Sequence, residues 1–157
     1  MEEITKFIVF KLKEQSFGVN IQQVISIERV QDITEVPRTS EFIKGVTGLR
    51  GETTPIIDLK ERLLIAETET TDDSRILVVS VQDMQVGLIV DAATEVMDID
   101  HEMIQAAPRL VGGVKDTFIK GVAKVDSHLL ILLDLDRIVD FEETNELREV
   151  VFDDEEV

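Results

Sequence analysis

Apolar and polar positions alternate along this chain in short runs, separated by tight polar or glycine-bearing breaks. Phe7 to Leu12 is aromatic and β-branched, and Phe10-Lys11-Leu12-Lys13 alternates, which predicts a strand. Glu14-Gln15-Ser16 is a polar turn, and Phe17-Gly18-Val19-Asn20-Ile21 alternates again as a second strand. Val24 to Val30 fits a strand or a short helix, because so short a run does not separate the two. After a break at Pro37, Gly45 to Leu49 and Thr53 to Ile57 form a hairpin around Arg50-Gly51-Glu52. Pro55 predicts that the second of these strands is an edge or a bulged one. Asp58, with Glu61 three residues on, reads as the capped start of a helix.

The second part of the chain replays the first. Phe42-Ile43-Lys44-Gly45-Val46 returns as Phe118-Ile119-Lys120-Gly121-Val122, an offset of 76 that also carries Ile56-Ile57-Asp58-Leu59 onto Leu132-Leu133-Asp134-Leu135. An offset of 69 carries Phe7-Ile8-Val9-Phe10 onto Ile76-Leu77-Val78-Val79, and Phe17-Gly18 onto Val86-Gly87. The chain is one small unit written twice. Strands are predicted at Arg75 to Val81 and Val86 to Asp91, around a turn at Met84-Gln85, with a short one at Thr94 to Met97. Ile99 to Pro108 reads as a loop or one helical turn, and Val111 to Asp116 as a flexible insertion. Phe118 to Val125 and His128 to Leu133 form a second late hairpin around Asp126-Ser127, before a final helix from Asp134 to Val139. Glu67 to Asp73 is polar throughout and falls at the repeat boundary, as a linker would.

About five short strands per half predict an all-β fold, since closing such a set into a small barrel removes exposed edges. The expected architecture is two five-stranded barrels packed together, over 1–68 and 74–140, followed by a tail at 141–157. Whether the first strand is exchanged between barrels is open at this level. Each half alone is about as small as self-sufficient domains become, so the halves should lean on each other.

Hydrophobic residues make up 43% of 157, enough for a packed core, and seven Phe are the only aromatics. The core must therefore be mostly Val, Ile and Leu, which suits strands. A net charge of −17 repels nucleic acid and anionic lipid surfaces. Residues 140–157 hold nine acids against the single base Arg148, so the tail supplies −8 and the body −9. That acidity reads as a solvated tail, with a helix as an option. No Cys is present, which excludes disulfides, thiolate metal sites and a Cys nucleophile. Met1-Glu2-Glu3 opens no signal peptide, and the longest apolar runs, such as Leu129 to Leu133, are far short of a membrane span. A cytoplasmic protein without direct membrane insertion is expected.

Reactive constellations are sparse. Asp58 and Asp134 are repeat equivalents and invite comparison with a shared-proton carboxylate dyad, which would make the chain a small hydrolase. That chemistry needs a small residue and Gly after the Asp; here Leu59 and Leu135 follow, and helix capping accounts for both acids. His101 and His128 belong to no metal-binding pattern. Asp126-Ser127-His128 contains triad residue types, but neighbours at a turn point apart and cannot relay a proton. Gly45, Gly48 and Gly51 match neither a dinucleotide fingerprint nor a phosphate loop. No enzyme activity, cofactor or metal is expected.

Phe17-Gly18-Val19-Asn20-Ile21, with Val24 and Ile27 behind it, resembles the opening signature of the CheW family. So does Pro37 followed by Phe42-Ile43-Lys44-Gly45-Val46, Leu49-Arg50-Gly51 and Pro55-Ile56-Ile57-Asp58-Leu59. Val86-Gly87-Leu88-Ile89-Val90-Asp91, Ala107-Pro108 and Leu130 to Asp136 extend the likeness over roughly residues 5 to 140. This resemblance implies two SH3-like barrels and a non-catalytic chemotaxis adaptor. It implies two partners: the cytoplasmic tip of methyl-accepting chemoreceptors and the regulatory domain of the histidine kinase CheA. The adaptor would be monomeric when isolated and recruited to membrane-associated receptor arrays. A coupling protein of another kinase pathway, such as surface motility, is the related alternative.

Carried over by motif, receptor contact falls to Val24, Ile27 and Glu28, with Arg50 and Gly51 at the hairpin tip. The family often has Glu just before the Ile27 position; this chain has Ser26 there and Glu28 after it. Kinase contact is expected at a barrel end, with Arg75, Ile76, Val86 and Val96 as candidates.

Overall fold

The structure, a computed structural model, describes residues 3–36, 42–65, 70–111 and 113–139. The acidic tail at 141–157, Pro37 and part of the expected linker lie outside the described residues. The first half contributes β1 (Ile4–Leu12), β2 (Gln15–Asn20), β3 (Val24–Arg29), β4 (Ile43–Leu49), β5 (Glu52–Asp58) and the short helix α1 (Leu59–Arg62). The second contributes β6 (Arg75–Val81), β7 (Met84–Val90), β8 (Ala92–Asp100), β9 (Ile104–Gln105), β10 (Leu110–Val111), β11 (Val114–Lys115), β12 (Ile119–Val125), β13 (His128–Leu133) and α2 (Leu135–Ile138). The fold is mainly β, as expected, and the ambiguous run from Val24 is a strand.

Three hairpins turn through two residues with positive φ: Arg50 and Gly51 (53° and 78°), Gln82 and Asp83 (52° and 62°), and Asp126 and Ser127 (47° and 69°). Two such residues give the turn a twist that matches its flanking strands. The second of these turns lies two residues before the expected Met84-Gln85, with Asp83 in the left-handed region, which Asp tolerates better than Met. Likewise β1 and β2 turn at Lys13-Glu14, and Gln15 and Ser16 belong to β2. The expected flexible insertion contains a small hairpin, Leu110–Val111 against Val114–Lys115, with Val114 fully buried. Pro55 sits in a strand flanked on both sides, not at an edge. Its partner Val46 exchanges both backbone bonds with Thr34 on its other side, at 2.8 and 2.9 Å. Val46 therefore asks nothing of the missing proline N–H.

The sheets do not follow the two halves. One runs β8-β1-β2-β13-β12-β9 and the other β3-β6-β7-β5-β4. The first hairpin of each half lies beside the late hairpin of the other, so 1–68 and 74–140 are not separate barrels. The exchange is reciprocal and in register. Gly18 pairs with Leu132 in a parallel step between β2 and β13, and Ile56 pairs with Gly87 in the same step between β5 and β7. Both steps join repeat-equivalent residues. Val79 pairs with Val24 as Phe10 pairs with Ala93, and a register shift follows at the same place in each pairing.

The main core lies between the sheets and draws on both: Phe10, Phe17, Ile57, Leu77, Leu88 and Ile131 are wholly buried there. Each sheet also covers a smaller cluster on its other face. Phe7, Val9, Ile99 and Leu132 form one; Ile56, Ile76, Val78 and the packed Val30 form the other. These two clusters are also repeat-equivalent. Among the described residues, no helix is long and apolar enough to cross a membrane.

Candidate docking surfaces

Strand β3 is an edge, and its burial alternates along its length. Ile25 (40% exposed), Ile27 (42%) and Arg29 are exposed, while Val24, Ser26 and Glu28 are half-buried. Val24 lies opposite Val79 and Ile27 opposite Leu77, with the register shift between them, so the bulge brings both onto one face of the sheet, Val24 half-buried and Ile27 exposed. Val24 packs against the main core. Ile25, the residue left unpaired at that shift, is exposed in the same strand and was missed by motif likeness. Arg50 and Gly51 are exposed at the β4–β5 tip. They belong to the same sheet as Ile27 but lie across its pairing order, beside β4 rather than β3.

The expected kinase set divides. Ile76 and Val86 are fully buried, in the satellite cluster and the main core respectively. Neither is available for direct contact, because apolar strand residues in a sheet covered on both faces have no outer side. Arg75 is half-buried, and its Nη1 donates to the carbonyls of Asp72 and Ser74, each at 2.8 Å. It pairs across from Arg29, so it belongs with the β3 edge. Val96 is 51% exposed on β8, the edge of the other sheet, and is the repeat equivalent of Ile27. Each sheet thus presents one edge strand with an exposed apolar side chain at the same place in the repeat.

The two repeat-equivalent aspartates are helix caps. Asp58 Oδ1 accepts from the Lys60 and Glu61 amides at 3.1 and 3.3 Å, and Asp134 Oδ1 accepts from the Asp136 amide at 3.1 Å. The Asp58 amide donates to the Phe42 carbonyl (2.7 Å), and the Asp134 amide to the Phe118 carbonyl (2.9 Å). One oxygen of each carboxylate is thus occupied in a local turn. His101 Nε2 lies 2.7 Å from Thr5 Oγ1, and among the described residues no group of His, Asp and Glu could hold a metal ion.

Polar side chains tie the sheets together. Lys60 Nζ, 7% exposed, reaches Asp91 at 2.6 Å, and the other oxygen of that carboxylate accepts from the Lys13 amide at 2.5 Å. This fixes the β1–β2 turn against α1. Arg62 stacks over Phe42 and Phe118, 4.9 and 4.7 Å from their ring centres, and its Nε donates to the Ile138 carbonyl at 2.8 Å. Phe42 and Phe118 are repeat equivalents, as are Arg62 and Ile138, so Arg62 sits where the two halves meet.

The model of the CheW-like domain family matches residues 6–143. The chemotaxis protein CheW of Bacillus subtilis is 38% identical over 137 residues, covering 87% of this chain and 88% of that protein. CheW of Klebsiella aerogenes is 29% identical over 138 residues, covering 88% and 83%. The crystal structure of the scaffolding protein TtCheW from Thermoanaerobacter tengcongensis superposes with a TM-score of 0.81 at 36% identity, covering 90% of this chain and 91% of that one. With its repeat, its paired sheets and its hairpin-tip Arg50 in place, the chain belongs to the CheW family of chemotaxis scaffold proteins.

Proposed function

We propose that the chain bridges the cytoplasmic tips of chemoreceptors and the regulatory domain of the histidine kinase CheA, and does no chemistry of its own. The observation that carries this reading is the pair of edge strands, β3 and β8, one per sheet, each with an exposed apolar side chain at equivalent places. An edge strand with exposed apolar residues is a ready surface for another protein. The receptor tip takes the β3 stripe of Ile25 and Ile27, with Arg50 and Gly51 adding a charged tip. The kinase takes the β8 edge at Val96. Glu28 and Arg75 border the β3 stripe and tune its polarity, while Val24 supports it from the core side. The adaptor works on the cytoplasmic side, held at receptor arrays by its partners. Two docking faces on one rigid body raise the local concentration of one partner near the other.

The test is a ternary complex followed by gel filtration, with the chain, a receptor-tip fragment and a CheA regulatory domain. Arg50→Glu should remove the receptor fragment and leave kinase binding intact. Val96→Glu should do the reverse. Retention of both partners by both variants refutes the assignment of faces.

A further inference from the structure

A pocket of about 150 Å³ opens on the face of the first sheet that carries Phe7, Ile104 and Leu132, away from the main core. Those three side chains give it an apolar floor, and Thr5, Asn20 and Lys120 stand at its rim.

The internal repeat shows why the pocket exists. The equivalent cluster of the other sheet holds Ile33, Ile56 and Ile76 where this one holds Ile104, Leu132 and Phe7. At the place of Asn20 it has Ile89, which is 4% exposed and packed into that cluster. Asn20 does not fill the same space. Its Oδ1 accepts from the Gln22 amide at 2.9 Å and caps the helical turn that follows β2. An apolar plug has been exchanged for a cap, and a cavity is left.

The charges beside it have changed as well. In the first half Lys44 Nζ lies 2.6 Å from Glu61. The repeat equivalents are Lys120 and Arg137, so a base stands where the acid was. Among the described residues Lys120 has no ion-pair partner. His101 is occupied, with Nε2 at 2.7 Å from Thr5 Oγ1 and Nδ1 at 3.5 Å from the Glu3 carboxylate. The Lys120 ammonium and the Asn20 side-chain NH₂ are therefore the donors left over at the rim. An apolar cavity of ~150 Å³ accepts one benzene ring. A charged donor at the mouth of such a pocket selects an anion carried on an apolar body.

We propose that this pocket binds a small monocarboxylate whose apolar body is about the size of a benzene ring, the body resting on Phe7, Ile104 and Leu132 and the carboxylate meeting Lys120 and Asn20. The volume holds one ring and no backbone, which favours a free small acid over a peptide segment. The site is separate from the β3 stripe, the β4–β5 tip and Val96, so it stands whether or not those faces dock receptor and kinase.

Benzoate is the probe. Titrated into the isotope-labelled full chain, it should shift the amide resonances of Thr5, Asn20, His101, Ile104 and Lys120 and saturate at millimolar concentration. Benzamide has the same shape without the charge and should bind several-fold more weakly. Lys120→Gln should weaken benzoate several-fold and leave benzamide unchanged, so that the two probes become equal. Asn20→Ile, which restores the plug of the other sheet, should abolish the shifts from both probes with the far-ultraviolet circular dichroism unchanged. Ile104→Phe, which fills the pocket with the Asn20 cap intact, should do the same. Absence of saturable shifts at these amides overturns the proposal. So does benzoate binding that survives both filling substitutions, which places the acid elsewhere. Equal affinity of the parent for benzoate and benzamide, or no loss in Lys120→Gln, overturns the choice of a carboxylate.

Discussion

Gly87 and Gly18 occupy equivalent places, each on the strand that makes the parallel step of its sheet, yet alanine should cost very different amounts at the two. A methyl at Gly87 would lie 2.6 Å from Ile56 Cδ1 and 2.8 Å from Ile76 Cγ2. Both isoleucines are wholly buried, and the Ile76 methyl branches from Cβ, so moving it means changing a stiff χ1. At Gly18 the nearest atom is Leu132 Cδ2, at 3.2 Å and at the far end of a flexible side chain. Overpacking a closed core costs ~1–3 kcal/mol, against which alanine recovers ~0.5–1 kcal/mol of backbone entropy. Gly87→Ala should therefore lose ~1–2 kcal/mol net, and Gly18→Ala should stay within ~0.5 kcal/mol of the parent. Urea unfolding followed by far-ultraviolet circular dichroism reads both. With a slope of ~2 kcal/mol/M, Gly87→Ala lowers the midpoint by ~0.5–1 M at unchanged slope. Equal midpoints for the two variants, or a larger loss at Gly18, would refute the packing reasoning.

Asp58→Ala removes a cap that accepts from two amides and should cost ~1 kcal/mol in the same urea assay; Asp134→Ala, which accepts from one, should cost less. Arg50→Glu, at an exposed tip, should leave the urea midpoint within ~0.5 kcal/mol of the parent while it removes receptor binding.

The repeat was legible because identical residues recur at two fixed offsets, and the β class because Val, Ile and Leu alternate with polar residues. The caps at Asp58 and Asp134 were legible too, since capping is local chemistry. Strand pairing across the halves was not. Phe7 to Asn20 and Arg75 to Val90 form the same hairpin, with the same apolar face, whichever late hairpin receives them. Local pattern cannot tell a partner in the same half from the equivalent partner in the other. That choice rests on non-local contacts, of which Gly87 against Ile56 is one. The proposed docking residues were half legible for a related reason. Motif likeness pointed to Val24 and Ile27, but the bulge between them, with Val24 against the core and Ile25 exposed, depends on how β3 pairs with β6. Ile76 and Val86 failed as contact residues because each sheet is covered on both faces, a fact of the assembled fold.

Reciprocal exchange has a mechanical consequence that can be measured. Among the described residues, four strand pairings join the halves: β1 with β8, β2 with β13, β3 with β6, and β5 with β7. The chain passes between the halves once, through residues 66–69. Replacing those residues with the recognition sequence of a specific protease and cleaving the folded protein removes one covalent link and none of the pairings. The four pairings bury Ile8, Phe10, Phe17, Ile57, Leu77 and Leu88 among others, and each fully buried side chain of this kind contributes ~1.5–3 kcal/mol. For these six the sum is ~9–18 kcal/mol, above the ~8 kcal/mol that corresponds to micromolar association. The cleaved halves should therefore co-elute at the mass of the intact chain and separate only in denaturant. Contiguous barrels over 1–68 and 74–140 would share only a side-chain interface and would part on dilution. Elution of two folded halves at half the mass under native conditions would refute the exchange, and with it the idea that the β3 and β8 docking edges are held on one rigid body.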